Sequence, residues 1–127
     1  PYAYDFPFEY EEWQASELAP FLKIDREKIG DRFAKFVQPF RGQKRRTIDH
    51  LIEINQQLQQ QIEYGVRLEP GVQSPEETLK LAKGSCRDSA WLLVHVLRDL
   101  GLAARFASGY LIQLTADQSS LDGPSGP

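Results

Sequence analysis

The residues of this chain best suited to chemistry fall in one stretch, "LAKGSCRDSAWLLVHVLRDLGL" at 81–102, which holds Cys86, the single cysteine among 127 residues. Ser85 and Asp88 have the S-x-x-D spacing of a capping box: the serine oxygen accepts from the Asp88 N–H and the carboxylate reaches back. Cys86 is then the first residue of a helix. There the unpaired backbone N–H groups and the positive end of the helix dipole favour a thiolate over a thiol. The thiolate is the nucleophilic form, and the same N–H groups can stabilise an oxyanion forming on an attacked carbonyl. Gly84 leaves room for a substrate backbone. Cys86 is therefore the candidate catalytic residue. The competing reading makes it a small packed thiol in a non-catalytic, helical interaction module, which requires it to be buried and inert rather than exposed and reactive. On the residues alone both readings stand.

A nucleophilic cysteine needs a base, normally a histidine oriented by a carboxylate or amide. The chain has two histidines, His50 and His95. His95 follows Cys86 by nine residues, about 900° of helical rotation, which turns it to the opposite side. It reads as a core or groove histidine. His50 lies on the first turn of another helix, and nothing in the sequence brings it to Cys86. One cysteine and two separated histidines make no metal-ligand set, and no cofactor is expected.

The elements that position Cys86 follow from periodicity. From Ala90 to Leu97 every residue but His95 is apolar, so this helix is wrapped by protein nearly all round, and Gly101 stands where a positive φ ends it. Upstream, "SPEETLKLA" gives Ser74 as a cap, Pro75 at the first helical position and Glu77, three residues after the serine, completing a capping box. That helix is short, with Gly84 interrupting it. "RTIDHLIEINQQLQQQIEYG" carries Ile48, Leu51, Ile52, Asn55, Leu58 and Ile62 on one stripe, with Thr47 as cap, Gly65 beyond the end and the glutamines facing solvent. "IDREKIGDRFAKFVQPF" spaces Ile29, Phe33, Phe36 and Val37 as a helix capped by Asp25 and ended by Pro39. Residues 1–15, rich in Tyr, Phe and Trp without a period, read as an extended arm lying on the domain. "AARFASGYLIQL" reads as a strand, with Gly109 a bulge or close approach.

Bulk properties exclude several classes. The net charge of −3 gives no support to nucleic-acid or anionic-membrane binding, and the basic cluster "RGQKRR" at 41–46 reads as a solvated loop. A lone cysteine excludes an intrachain disulfide scaffold. No apolar run approaches the ~20 residues of a membrane span, and "PYAYDFPFEYEEW" is unlike a signal peptide; a cytoplasmic location is expected. With no methionine anywhere and "SSLDGPSGP" closing no element, the chain reads as a segment of a longer protein.

Residues 64–114 resemble the core of a bacterial transglutaminase-like domain. The resemblance is carried by Gly84-Ser85-Cys86-Arg87-Asp88, the buried helix after them, and "RFASGY" from Arg105 to Tyr110. It covers about two-fifths of the chain, and residues 1–63 resemble the helical region that precedes such cores. The resemblance implies a papain-like α+β core with a central cysteine-bearing helix and one or two strands, in a predominantly α-helical fragment. It divides the chain into a helical region at 1–63 and a core fragment at 64–127. It further implies a Cys-His-Asp triad with Cys86 as nucleophile, acting on protein or peptide amides with acyl transfer to water or an amine. The family's downstream His-Ala-x-x-E strand and Asp-Pro motif have no counterpart here, so the segment alone is expected to be inactive. A strand at 104–114 without its neighbours is expected to leave an open edge that recruits a second copy as a homodimer.

Overall fold

The computed structural model describes residues 2–109 and residue 112. These contain β1 (Asp5–Phe6), α1 (Glu12–Leu18), α2 (Asp31–Val37), β2 (Arg45–Arg46), α3 (Thr47–Gln61), β3 (Glu63–Tyr64), α4 (Pro75–Leu81), β4 (Lys83–Gly84) and α5 (Cys86–Asp99). Single 3-10 turns lie at Ala19–Phe21, Arg26–Lys28 and Gln38–Phe40. β1 pairs antiparallel with β2, and β3 runs parallel to β4. The architecture is α+β and predominantly helical, with the cysteine-bearing helix at its centre.

One hydrophobic core joins the elements. Phe33, Phe36 and Val37 of α2, Ile54 and Leu58 of α3, and Leu92 and Val96 of α5 pack together with Phe40 and Ile62. α5 lies against α2, α3 and α4, and no residue from Ala90 to Leu97 is exposed. α5 spans 14 residues, one turn-fraction shorter than the 15-residue α3. At its end Leu100 caps the helix and Gly101 takes φ +90°, as the glycine's position predicts.

Several boundaries differ from the sequence reading. α3 turns His50, Ile54 and Leu58 inward, leaving Ile48 58% and Ile52 49% exposed. Leu58 and Ile62 of the expected stripe are buried, while in the first turns tertiary packing turned His50 and Ile54 inward in place of Ile48 and Ile52. Thr47 is the first helical residue rather than the cap; its Oγ1 donates to the Ala3 carbonyl at 2.6 Å, pinning the N-terminal arm. Asp25 caps the separate turn Arg26–Lys28, accepting from the Glu27 N–H at 3.2 Å. α2 begins after Gly30, and Glu76 of α4 supplies its cap, accepting from the Arg32 and Phe33 N–H groups at 3.1 and 3.0 Å. A Cβ at Gly30 would stand 3.0 Å from the Glu76 carboxyl carbon, so a glycine lets this cap approach. α4 ends not at Gly84 but at Ala82, which takes the left-handed φ of 55°.

The expected arm is present: β1 pairs with β2, and Phe6 is buried. Its last residues, however, are not extended: Glu12–Leu18 forms α1, which runs past the expected end of the arm at residue 15. The Tyr10 hydroxyl accepts from the Ala103 N–H at 2.9 Å. The expected strand does not form over 104–109, and most of 110–114 lies outside the described residues. A strand exists through its ladder, and here Ala104 instead donates to the Phe21 carbonyl at 2.9 Å; no described strand lies alongside.

Candidate active site

Cys86 is the first residue of α5, and both halves of the Ser85–Asp88 capping box form. The Asp88 N–H donates to Ser85 Oγ at 3.2 Å, and the Ser85 N–H donates to Asp88 Oδ2 at 2.9 Å. The thiol is exposed. It lines a groove of about 480 Å³ between α3 and α5, with Asn55, Gln59, Ile62, Tyr64, Ser89 and Leu93 among its walls. Its walls combine amide and hydroxyl side chains with apolar ones.

Beneath this corner sits a buried carboxylate that sequence reasoning took only as a cap. Asp88 is 0% exposed. It accepts from Arg67 Nε at 2.7 Å, Arg67 Nη2 at 3.0 Å and the Gln73 N–H at 2.9 Å, besides Ser85. Burial alone raises its pKa, but the Arg67 fork, the Ser85 and Gln73 N–H groups and the Ser85 side chain outweigh burial and hold the carboxyl well below the usual range. Arg67 is the residue the sequence reading missed. Its signal was an arginine inside the short extended segment "YGVRLEPG", but its partner lies 21 residues away, beyond any local pattern. The network closes only because residue 84 lacks a side chain: a Cβ there would stand 2.9 Å from the Asp88 Cβ.

Neither histidine joins Cys86. His50 is buried with both ring nitrogens unpartnered, stacked on Phe6 at 4.1 Å between ring centroids. It is not among the groove's lining residues and precedes the first of them, Asn55, by five positions on α3, roughly 7.5 Å along the axis. His95 Nδ1 contacts the Trp91 carbonyl at 3.0 Å; since a carbonyl only accepts, Nδ1 carries the proton of the neutral ring. His95 lines a different cleft, with Lys23, Asp25 and Arg98, as its rotation from Cys86 predicts. Burial is the leading cause that lowers both histidine pKa values. Arg41, from the basic cluster, is ion-paired to Asp99 at the other end of α5. Among the described residues no group of three or more His, Cys, Asp or Glu side chains is placed to hold a metal ion, and no helix is long and apolar enough to cross a membrane.

An exposed thiol opening a helix whose Leu92, Val94 and Val96 are buried in the fold defines a cysteine-centred α+β domain. The family model of the transglutaminase-like superfamily matches residues 34–121, and the chain belongs to that superfamily. Searches of curated proteins and of solved structures gave no match.

Proposed function

We propose that the protein carries the nucleophile of a cysteine enzyme acting on protein or peptide amides. Cys86 Sγ attacks the carboxamide carbonyl carbon, the C–N bond breaks, and the amine leaves with a proton. The resulting thioester passes its acyl group to water or to a second amine. The observation that supports this most is the exposed Cys86 on a capped helix start, facing a groove, inside the family match. A packing role for the thiol is disfavoured by that exposure. Both histidines of the chain lie outside the groove, so the 127 residues alone are expected to give no amide turnover above a Cys86→Ala control. The base and its orienting carboxylate belong, by family resemblance, to strands downstream. One unpaired cysteine suits a reducing, cytoplasmic setting.

An activated aryl ester tests the nucleophile without a base, because its leaving group departs unprotonated. Mass spectrometry of the folded chain is expected to find the acyl group on Cys86; acylation of lysines alone would overturn the assignment. Self-association belongs to the same proposal. Although Arg105–Gly109 forms no strand, it makes no backbone–backbone hydrogen bond among the described residues, and its backbone groups can pair with those of a second copy. Light scattering over a dilution series should show a dimer, and a monomer at every concentration would remove this part.

A further inference from the structure

Asp88 presents the proposed nucleophile with an electrostatic problem. Its carboxylate lies in the first turn of α5, two residues past Cys86, and is fully buried. An unbalanced negative charge there opposes ionisation of a neighbouring thiol. A capping box needs only the Ser85 contacts; it does not need the carboxylate buried under a guanidinium. Arg67 nevertheless spans it with two bonds, Nε to Oδ2 at 2.7 Å and Nη2 to Oδ1 at 3.0 Å. This is the planar fork that arginine offers and lysine does not. Nη2 also donates to the Gly71 carbonyl at 2.6 Å, while Gln73 N–H completes Asp88. The segment between β3 and α4 is thereby tied to the helix start, immediately after Tyr64 on the groove wall. The other charged or titratable groups at this corner are Glu63 and Tyr64 of β3, Glu77 of α4, Lys83 of β4, Arg87 of α5 and Glu69, the last 3.7 Å from Arg67.

We infer that Arg67 is a positioning residue for Cys86: its fork cancels the Asp88 charge in the turn that carries the thiol and fixes the adjoining loop beside the groove. The inference rests on Cys86 being the nucleophile, yet its test reads the thiol directly and not turnover. Cys86 is the only thiol, so its iodoacetamide alkylation in the folded chain can be followed across a pH series, with circular dichroism confirming the fold of each variant.

Arg67→Gln leaves the carboxylate unbalanced and is expected to move the midpoint of the pH–rate profile upward by roughly half a pH unit. Asp88→Asn keeps an oxygen for the Ser85 N–H, leaves Arg67 unbalanced, and is expected to move the midpoint downward. The double variant should return near the unmodified chain. Arg67→Lys, which keeps the charge and loses the fork, should leave the midpoint in place while amide exchange over residues 67–73 speeds up. Loosening alone would move both single variants the same way, and that result, or no movement in either, overturns the inference. Should Arg67→Gln fail to fold, Asp88→Asn and Arg67→Lys decide it: a downward shift in the first with none in the second supports it, and any other pair overturns it. Opposite shifts without ester acylation of Cys86 would sink the proposed function alone; same-direction shifts with acylation intact would sink only this inference.

Discussion

His50, His95 and Asp88 set the acid response of this protein. Burial first, then Arg45, holds His50 below its ordinary pKa of 6.5 against the opposing pulls of the Phe40 carbonyl and Glu53. The Phe40 carbonyl forms no hydrogen bond of good geometry, since both ring nitrogens stay unpartnered. His95 is lowered in the same direction, again by burial first. A depressed histidine means the unfolded chain binds protons more readily than the folded one, so stability is fully present above about pH 6.5 and falls as pH drops below it. Asp88 works further down: its depressed carboxyl contributes stability above its ordinary value of 3.8, lost as pH falls through and below it. The urea midpoint is therefore expected to fall between about pH 7 and about pH 5, in the histidine window. His50→Leu should flatten part of that fall with no loss at neutral pH, because it removes two orphaned nitrogens from an apolar site. An unchanged slope in that variant would show that His95 alone carries the effect.

Elements whose ends are written locally were legible in the sequence, and those closed from a distance were not. The Ser85–Asp88 box, the Ser74 cap and the Gly101 stop are patterns within four residues, and each formed where its pattern lay. The start of α2 was not legible, since its cap comes from Glu76, 44 residues from Arg32. The phase of α3 was read correctly at Leu58 and Ile62, which are buried, but not in its first turns, where Ile48 and Ile52 compete with His50 and Ile54 and only the neighbours in space decide between them. For the site, Cys86 and its cap could be read, whereas the Arg67 fork required the fold. The remote cap yields a direct expectation: Glu76→Ala should cost about 1 kcal/mol, the usual value of a lost N-cap, measured by urea unfolding. Gly30→Ala should cost a similar amount by forcing the same carboxylate away. Leu92→Ala, in the fully buried middle of α5, is expected to cost about 2–5 kcal/mol, and a smaller value would mean the helices close over the cavity.

For the molecule as a whole, the decisive feature is where the core draws its side chains. Phe33, Phe36, Ile54 and Leu58 come from before residue 63, while Leu92 and Val96 come from α5. The family match at 34–121 likewise runs across that point. Neither set can bury its apolar face without the other, and small domains with one core unfold in a single cooperative step. Fluorescence of Trp91, seated on α5 beside His95, should therefore change with the same urea midpoint as far-UV circular dichroism, which reports every helix. Trp13 is 62% exposed and should contribute little to the change. A peptide of residues 1–63 would leave Phe33 and Ile54 without Leu92 and Val96, and α3 alone is near the length at which isolated helices are marginal in water. That peptide is expected to lack a cooperative transition. If it unfolds cooperatively, or if the helical signal of the whole chain melts in a step that Trp91 does not feel, residues 1–63 form a unit of their own and the core is not shared.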